Sequence, residues 1–436
     1  MSAAEEFRTR TPLRVAIIGA GPGGLVLAQL LRKDKRFDVT VYERGTPEGG
    51  GNSLVGFRIL VPPATVDSLR EQVDAEVDRL LAQAIGISPP QGNRVCLMDQ
   101  NCRVKYRADV DQLRSMSFIS RWRLRKALLH GSGEFVKFNK QFHGYEEGKN
   151  SVTAFFKDGE SIECDVLVGA DGAGSRVRNQ LLPNSKRSDS GVTIIYFKAP
   201  FTPETEAMIP YASGATALTP RQSMVVSYWK NQEKPYGPYD LENIDPDDSF
   251  LMIGLGCYSD EFHNKSKRPD EMTPEELKDE CLARARHWHP ILQSLIAITV
   301  PKSVFVSYLK TQDPIEPWET GRVTILGDAA HSMTPYLGKG ATSAIEDAMS
   351  LAEALKSEDR SLTDRLAGYE RSMLADGFAA AKSSMFIHKV VFAGNSPWLA
   401  RLRNLALCVA DMIISHPTKL TLPFPVSYSE AAKKSL

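Results

Sequence analysis

The chain has 436 residues, with 53 basic and 53 acidic side chains and a formal net charge of zero. That balance gives no electrostatic reason to hold nucleic acid or an anionic membrane. Hydrophobic residues at 42% and charged residues at 24% exclude disorder over most of the length, which is enough for about three ordinary domains.

In chain order, Leu13–Ile18 reads as a short strand, followed at once by a glycine cluster and an apolar helix through Leu31. Val39–Tyr42 is a second strand and closes a βαβ unit. Thr65–Ala84 has a charged helical pattern that Pro89-Pro90 ends, and Ser117–Leu129 begins extended and turns helical. Val152–Phe156 and Asp165–Val168 are strand-like, with Lys157-Asp158-Gly159 as the turn between them. From about Pro183 the composition changes. Thr193–Phe197, Met224–Trp229, Leu251–Leu255 and Ser303–Tyr308 are β-like runs among polar, proline-rich loops. Thr273-Pro274-Glu275-Glu276 supplies an N-cap, a first-turn proline and a capping-box Glu for one helix among them. This order predicts an α/β fold, a Rossmann-type domain with an inserted β-sheet domain and a helical C-terminal region.

The N-terminal MSAAEEFRTRTPLR has no apolar stretch, so no secretory signal is expected, and the closing KKSL lacks an SKL address. Six cysteines (96, 102, 164, 257, 281 and 408) form no CxxC pair and read as free thiols of a reducing compartment. No stretch is apolar enough to span a bilayer, and a cytoplasmic protein is expected.

Three constellations carry chemistry. Gly19-Ala20-Gly21-Pro22-Gly23-Gly24 fits GxGxxG between strand and helix, with Gly19, Gly21 and Gly24 as its glycines. The first glycine permits the turn, the second admits a pyrophosphate, and the third lets helix pack on strand. Glu43 then ends the second strand, where a carboxylate can accept hydrogen bonds from adenosine ribose hydroxyls. The second constellation runs from Asp165 through Asp171-Gly172 to Arg178. The third runs from Arg322 through Gly327-Asp328 to His331, and on through Gly338-Lys339-Gly340 into a helix. That helix carries an apolar stripe at Ile345, Ala348, Met349, Ala352 and Leu355.

In this order and at this spacing, the three motifs resemble those of the class A flavoprotein monooxygenases, of the para-hydroxybenzoate and salicylate hydroxylase type. The resemblance covers about residues 12–360 and is weak through 185–310. Leu54–Ile59 and the large middle insertion look like those of secondary-metabolite members. It implies FAD as cofactor, NAD(P)H as co-substrate, and O2 with a small aromatic or polyketide-like substrate, hydroxylated through a flavin C4a-hydroperoxide. It implies FAD contacts from Gly19, Gly21, Gly24, Glu43, Arg44, Gly56, Arg121, Asp171, Asp328, Gly338, Gly340 and Ala341. The FAD-binding domain is expected from 1–75, 100–185 and 300–385, the substrate domain from 76–99 and 186–299, and a helical segment from 386–436. Two departures stand out: Thr342 where the family commonly has Asn, and Lys339 where it has Gln or a small residue.

Arg58, Tyr196 and Tyr228 are the catalytic candidates, Arg58 as a substrate or flavin contact and the tyrosines as a proton relay to a phenol. Tyr196, Phe197, Tyr228 and Trp229 fit either a core or the wall of a pocket for a flat substrate. Among Arg121, Arg123, Arg125 and Lys126, Arg121 opens the helix and is preferred; the others read as a solvated face. His331 reads as structural, packed under the flavin. His287-Trp288-His289 lacks partners at ligand spacing, so no metal is expected. The stripe Leu402, Leu405, Ala406, Val409, Met412 and Ile413 reads as a helix packed on the core or on a partner subunit, in a monomer or homodimer. Epoxidation, Baeyer–Villiger insertion and a non-catalytic FAD-binding role remain as alternatives. A flavin-dependent halogenase is disfavoured because no WxWxIP segment is present.

Overall fold

The computed structural model describes residues 11–47, 57–108, 111–211, 213–237, 247–393 and 396–415. Five parallel strands form the first sheet, in the order Val323–Ile325, Val166–Gly169, Leu13–Ile18, Phe37–Tyr42, Val136–Lys137. Leu13–Ile18 and Val166–Gly169 are mostly Val, Ile, Leu and Ala, because the middle of a parallel sheet is covered on both faces, whereas Phe37–Tyr42 turns Asp38 and Thr40 away from the core between Phe37, Val39 and Val41. The Pro22–Leu31 helix buries nine of its ten residues against this sheet. The Gly340–Lys356 helix packs beside it through Ile345, Ala348, Leu351, Ala352 and Leu355.

A second sheet has seven strands, in the order Phe305–Gln312, Arg187–Pro200, Phe250–Tyr258, Gln222–Trp229, Gly214–Thr219, Val95–Asp99, Val104–Ala108. All neighbours are antiparallel except Gly214–Thr219 with Val95–Asp99. Side chains alternate between its faces. Ile195, Phe197 and Ala199 join a core with the Pro274–Ala285 and Pro290–Ala297 helices, whereas Ile194 and Tyr196 join Val391 and Phe392 on the other side. The capping box at Thr273 and Glu276 is formed. Of the segment 76–99, the helix packs in the first core and only Val95–Asp99 enters this sheet. Val104–Ala108 and Phe305–Gln312 enter it too, from stretches expected in the first domain. A two-stranded ribbon, Arg58–Val61 with Ser117–Ser120, and a three-stranded sheet complete the β-structure of the described residues.

Thr65–Ala84 forms two helices, Pro63–Gln72 and Ala75–Ala84, broken at Val73-Asp74. The break serves Asp74, which pairs with Arg32 and Lys33, each at 2.5 Å. One helix of 31 residues, Leu362–Phe392, reaches both cores and crosses the expected boundary at 385. The last helix, Pro397–Ser415, corrects one of the two expectations for its apolar stripe, that of packing on the core. It attaches through Ala400, Arg403, Leu407 and Asp411, a stripe of spacing near four, with Arg403 buried on the carbonyls of Val391 and Ala393 at 2.8 Å each. Leu402, Leu405, Val409, Met412 and Ile413 therefore lie exposed and do not pack on the core. No helix among the described residues is long and apolar enough to cross a membrane.

Glu370 on the long helix is buried, and the Thr320 hydroxyl donates to it. Burial raises its carboxyl from 4.5 to about 7, against the Thr320 hydrogen bond that lowers it. The folded chain thus holds a proton that the unfolded chain releases above about 4.5. This group's contribution to stability is full below that pH and lost as pH rises toward 7. Glu370→Gln is expected to raise the unfolding midpoint at pH 8, and the gain should vanish below pH ~4.5 in a thermal-melt series.

Candidate active site

Four loops leave the carboxyl edge of the parallel sheet. Residues 19–24 follow Leu13–Ile18, and Glu43 and Arg44 follow Phe37–Tyr42. Asp171 follows Val166–Gly169, and Gly327-Asp328 follows Val323–Ile325. Ligands of open α/β sheets bind outside this edge.

The loops are tied by contacts that few residue types permit. Gly19 has φ +110°, and a Cβ there would stand 2.5 Å from the Ala170 carbonyl oxygen, so first and second loops touch through backbone. Leu326 N–H donates to the Gly169 carbonyl at 3.0 Å. Arg178, 4% exposed, donates from one nitrogen to the carbonyls of Ala173 (3.0 Å) and Ala329 (3.2 Å), clamping second loop to third. Hydrogen bonds from a charged group contribute about 1.5–3 kcal/mol each. Sequence reading missed this role, although Arg178 stands within the second motif.

The third loop has its own brace. The Gly327 N–H donates to Asp347 Oδ2 at 2.8 Å, and His331 Nε2 meets the same oxygen at 2.7 Å. Burial pushes the His331 pKa down, but the charge and hydrogen bond of Asp347 outweigh it and the pKa rises. The imidazole lies against Gly377 of the long helix, where a Cβ would stand 2.1 Å from the ring. His331 therefore turns toward that helix and holds the loop. Asp328, beside it, is exposed on an otherwise buried turn.

Glu43 accepts from Ala20 N–H at 2.8 Å and Gly45 N–H at 2.7 Å, which sets its carboxylate beside the glycine loop. Arg44 is exposed at the same strand end. Ser120 caps the Arg121–Leu128 helix by accepting from Arg123 N–H at 3.3 Å. Arg121 is exposed at its start. Arg125, one turn on and on the same face, is half-buried near Glu43, and burial lowers its pKa while Glu43 opposes that shift. The basic run is thus not merely a solvated face. Helical phase alone could have paired Arg125 with Arg121.

On the far side of the cleft, Gly338 has φ +68° and packs on Leu60. The Gly340–Lys356 helix starts with no side-chain cap and no acidic residue in its first turn, so its partial positive charge is left to the cleft. Asp328 Oδ1 is 3.8 Å from where a Cβ of Gly340 would stand, and Ala341 is half-buried in the first turn. Thr342, the departure from the family Asn, donates to the Leu60 carbonyl at 2.6 Å and binds this helix to the Arg58–Val61 strand. Gly56 lies outside the described residues.

This cradle fits an adenine dinucleotide. A Cβ at Gly21 would meet nothing within 4 Å, so the fold itself does not demand that glycine, whereas a diphosphate lying on the loop does. Asp171 accepts from Arg176 N–H at 2.7 Å through one oxygen, and its other oxygen is buried without a hydrogen-bond partner.

Across the cleft stands the Tyr196 face of the seven-stranded sheet. The Tyr196 ring stacks on Phe305 at 5.1 Å, lies 4.5 Å from Phe57, and passes over Gly254. Burial raises its phenol well above the ordinary value, so it stays protonated at neutral pH and can donate a hydrogen bond. Tyr228 is not brought to this face. It belongs to the opposite core and stacks on Phe201 at 5.1 Å, with its ring centroid 6.5 Å from that of Phe118 in the ribbon, because its strand turns Ser227 and Trp229 to the other face. Arg58 lies at the ribbon, its Nε donating to Ser227 Oγ at 2.6 Å. His289 accepts from Ile291 N–H and caps a helix. Among the described residues no three His, Cys, Asp or Glu are grouped to hold a metal.

A dinucleotide cradle facing an aromatic-walled sheet is the architecture of flavoprotein oxygenases. The FAD binding domain family matches residues 12–249 and 257–378, and this chain belongs to it, among the class A FAD-dependent monooxygenases. The 6-hydroxynicotinate 3-monooxygenase of Pseudomonas fluorescens is 29% identical over 360 residues, covering 79% of this chain and 82% of that protein. The FAD-dependent urate hydroxylase of Mycolicibacterium vanbaalenii is 28% identical over 365 residues, covering 82% and 83%. This chain spans only 41% of a longer relative, the dual O-methyltransferase/FAD-dependent monooxygenase elcB of Phaeosphaeria nodorum, at 28% identity over 80% of this chain. A crystal structure assigned as an FAD-containing monooxygenase, from Photorhabdus luminescens, superposes with a TM-score of 0.73 at 28% identity, over 88% of this chain and all of that one.

The brace makes a prediction. Gly377→Ala should displace His331, and with it Asp347 and the Gly327 amide, weakening FAD retention at least about tenfold. Gly368→Ala, on the same helix with nothing within 4 Å, should leave retention unchanged. Release of flavin fluorescence on dilution measures both.

Proposed function

We propose that the chain is an NAD(P)H-dependent FAD monooxygenase that hydroxylates a small aromatic or heteroaromatic molecule. The observation that carries the reading is the placement of three motif loops at one sheet edge, opposite the aromatic face of Tyr196, Phe57 and Phe305. Relatives named for hydroxylating 6-hydroxynicotinate and urate support it.

FAD, when bound, supplies the reductive activation of O2 that no side chain can perform. Glu43 would hold the adenosine ribose. The loop at Gly21, with Arg121 and Arg125, would hold the diphosphate, and Asp328 would hold the ribityl chain. The uncapped start of the Gly340 helix stabilises negative charge developing beside it without a side chain. Tyr196 presents a protonated hydroxyl toward the substrate side. The aromatic wall excludes water from the reacting carbon and aligns a flat ring.

The purified protein is expected to show a flavin spectrum and to oxidise NAD(P)H faster with the right compound. Under labelled oxygen, the product should carry one heavy oxygen atom by mass spectrometry. A colourless protein, or reductant consumption indifferent to every phenol and heteroaromatic tried, would overturn the reading. Asp328→Ala should lower FAD occupancy at least about tenfold, measured from the visible-to-protein absorbance ratio.

A further inference from the structure

We propose that Arg58 and Lys198 form a paired-cation subsite, laid on a bed of Phe118, Trp229 and Phe250, that receives an anionic oxygen of the substrate. The inference rests on the oxygenase reading and adds the substrate's class: a flat molecule bearing a carboxylate or an ionised phenol or enol.

The two cations reach the same row of the sheet from different elements. Lys198 and Ser227 both pair with Met252 across the neighbouring strand, so they lie two strand spacings apart, about 10 Å, on one face. Arg58 arrives from the ribbon and binds Ser227 Oγ. Its guanidinium carbon sits 3.6 Å above the Phe118 ring, and Lys198 Nζ sits 4.1 Å from the Phe250 ring. Phe118, Trp229 and Phe250 form one cluster with Leu60 and Met252, and Leu60 backs directly on Gly338. The bed therefore adjoins the turn that opens the flavin-side helix.

Neither cation has a carboxylate partner among the described residues. Other deeply placed cations here are spoken for: Arg284 holds Glu280 at 2.7 Å, and Arg403 and Arg178 are spent on carbonyls. Lys198 is 1% exposed, its ammonium has no hydrogen bond, and its backbone is pinned by Ser303 Oγ and by Val300 N–H. Arg58 is half-buried, and among the described residues only its Nε donates a hydrogen bond. Burial drives both toward losing charge, to about 9 for Arg58 and about 8 for Lys198. Cation–π contact eases this without neutralising it. A buried cation without a counter-charge is a standing cost in the free protein. An anion lying on the aromatic bed would remove that cost, and a neutral isostere would not.

The test uses the FAD-loaded protein and two matched probe pairs: benzoate with benzamide, and 4-nitrophenolate with 4-nitroanisole. Perturbation of the flavin spectrum and the shift in unfolding midpoint report binding. At least one anion should bind about tenfold or more tightly than its neutral partner, and which pair responds separates carboxylate from phenolate recognition. Arg58→Met and Lys198→Met should each cut that preference below about threefold with FAD content unchanged. Ligand-free Lys198→Met should melt above the parent, because it loses an uncompensated charge. Equal affinity within both pairs, a preference that survives both substitutions, or a lower midpoint for Lys198→Met would overturn the proposal. A parent protein without flavin would sink the oxygenase reading instead, and the midpoint shift with benzoate would still read the subsite.

Discussion

Everything in this protein depends on three parallel strands ending together. Leu13–Ile18, Val166–Gly169 and Val323–Ile325 are neighbours in one sheet, yet they come from positions more than 300 residues apart along the chain. Backbone hydrogen bonding fixes their register, and register fixes where the chain may turn. The glycine loop, the Asp171 loop and the Asp328 loop have no choice but to emerge side by side. Side chains then lock what the ladder has placed. Arg178 spans two loops from beneath, and Asp347 gathers a backbone amide and an imidazole on one oxygen.

The second constraint is the two-residue period of the large sheet. One face is consumed by helices and makes an ordinary core; the other is turned toward the nucleotide-binding half and is aromatic and cationic. Thr342 and Leu60 join these halves, since the helix that begins the flavin side is bound to the ribbon that roofs the sheet. A residue at the family's usual Asn position has thus become a structural tie here.

The sequence was legible where chemistry and local pattern coincide. Leu13–Ile18 and Val152–Phe156 match to the residue, because each is an apolar run bounded by turn residues. The capping box at Thr273 is as local as a signal can be. Val104–Ala108 and Gly214–Thr219 went unread, for they are charged or small-residue runs whose strand character comes from their pairing; the apolar Val95–Asp99 went unread too, its seat in the sheet being set by Gly214–Thr219 far along the chain. Tyr196 and Tyr228 were separable only with the register in hand: each strand shows its own alternation, but nothing within a strand says which phase faces the cofactor side. The bracing of His331 joins residues 16 and 46 positions apart. Its one advance sign was Gly377, a glycine inside a helix, where propensity disfavours it and close packing excuses it.

The Leu362–Phe392 helix is about 46 Å long at 1.5 Å per residue. It runs from the Leu366–Tyr369 region under the nucleotide half to Val391 and Phe392 under the Tyr196 face. A single rigid rod embedded in two cores couples their melting, so neither half can be excised as an autonomous folding unit. Ending the chain at 385 would strip the last two turns from the rod and lay bare the apolar floor beneath Ile194 and Tyr196. Evolution can therefore retool the substrate sheet by exchanging side chains, but it cannot swap the sheet wholesale without also supplying a new end for this rod.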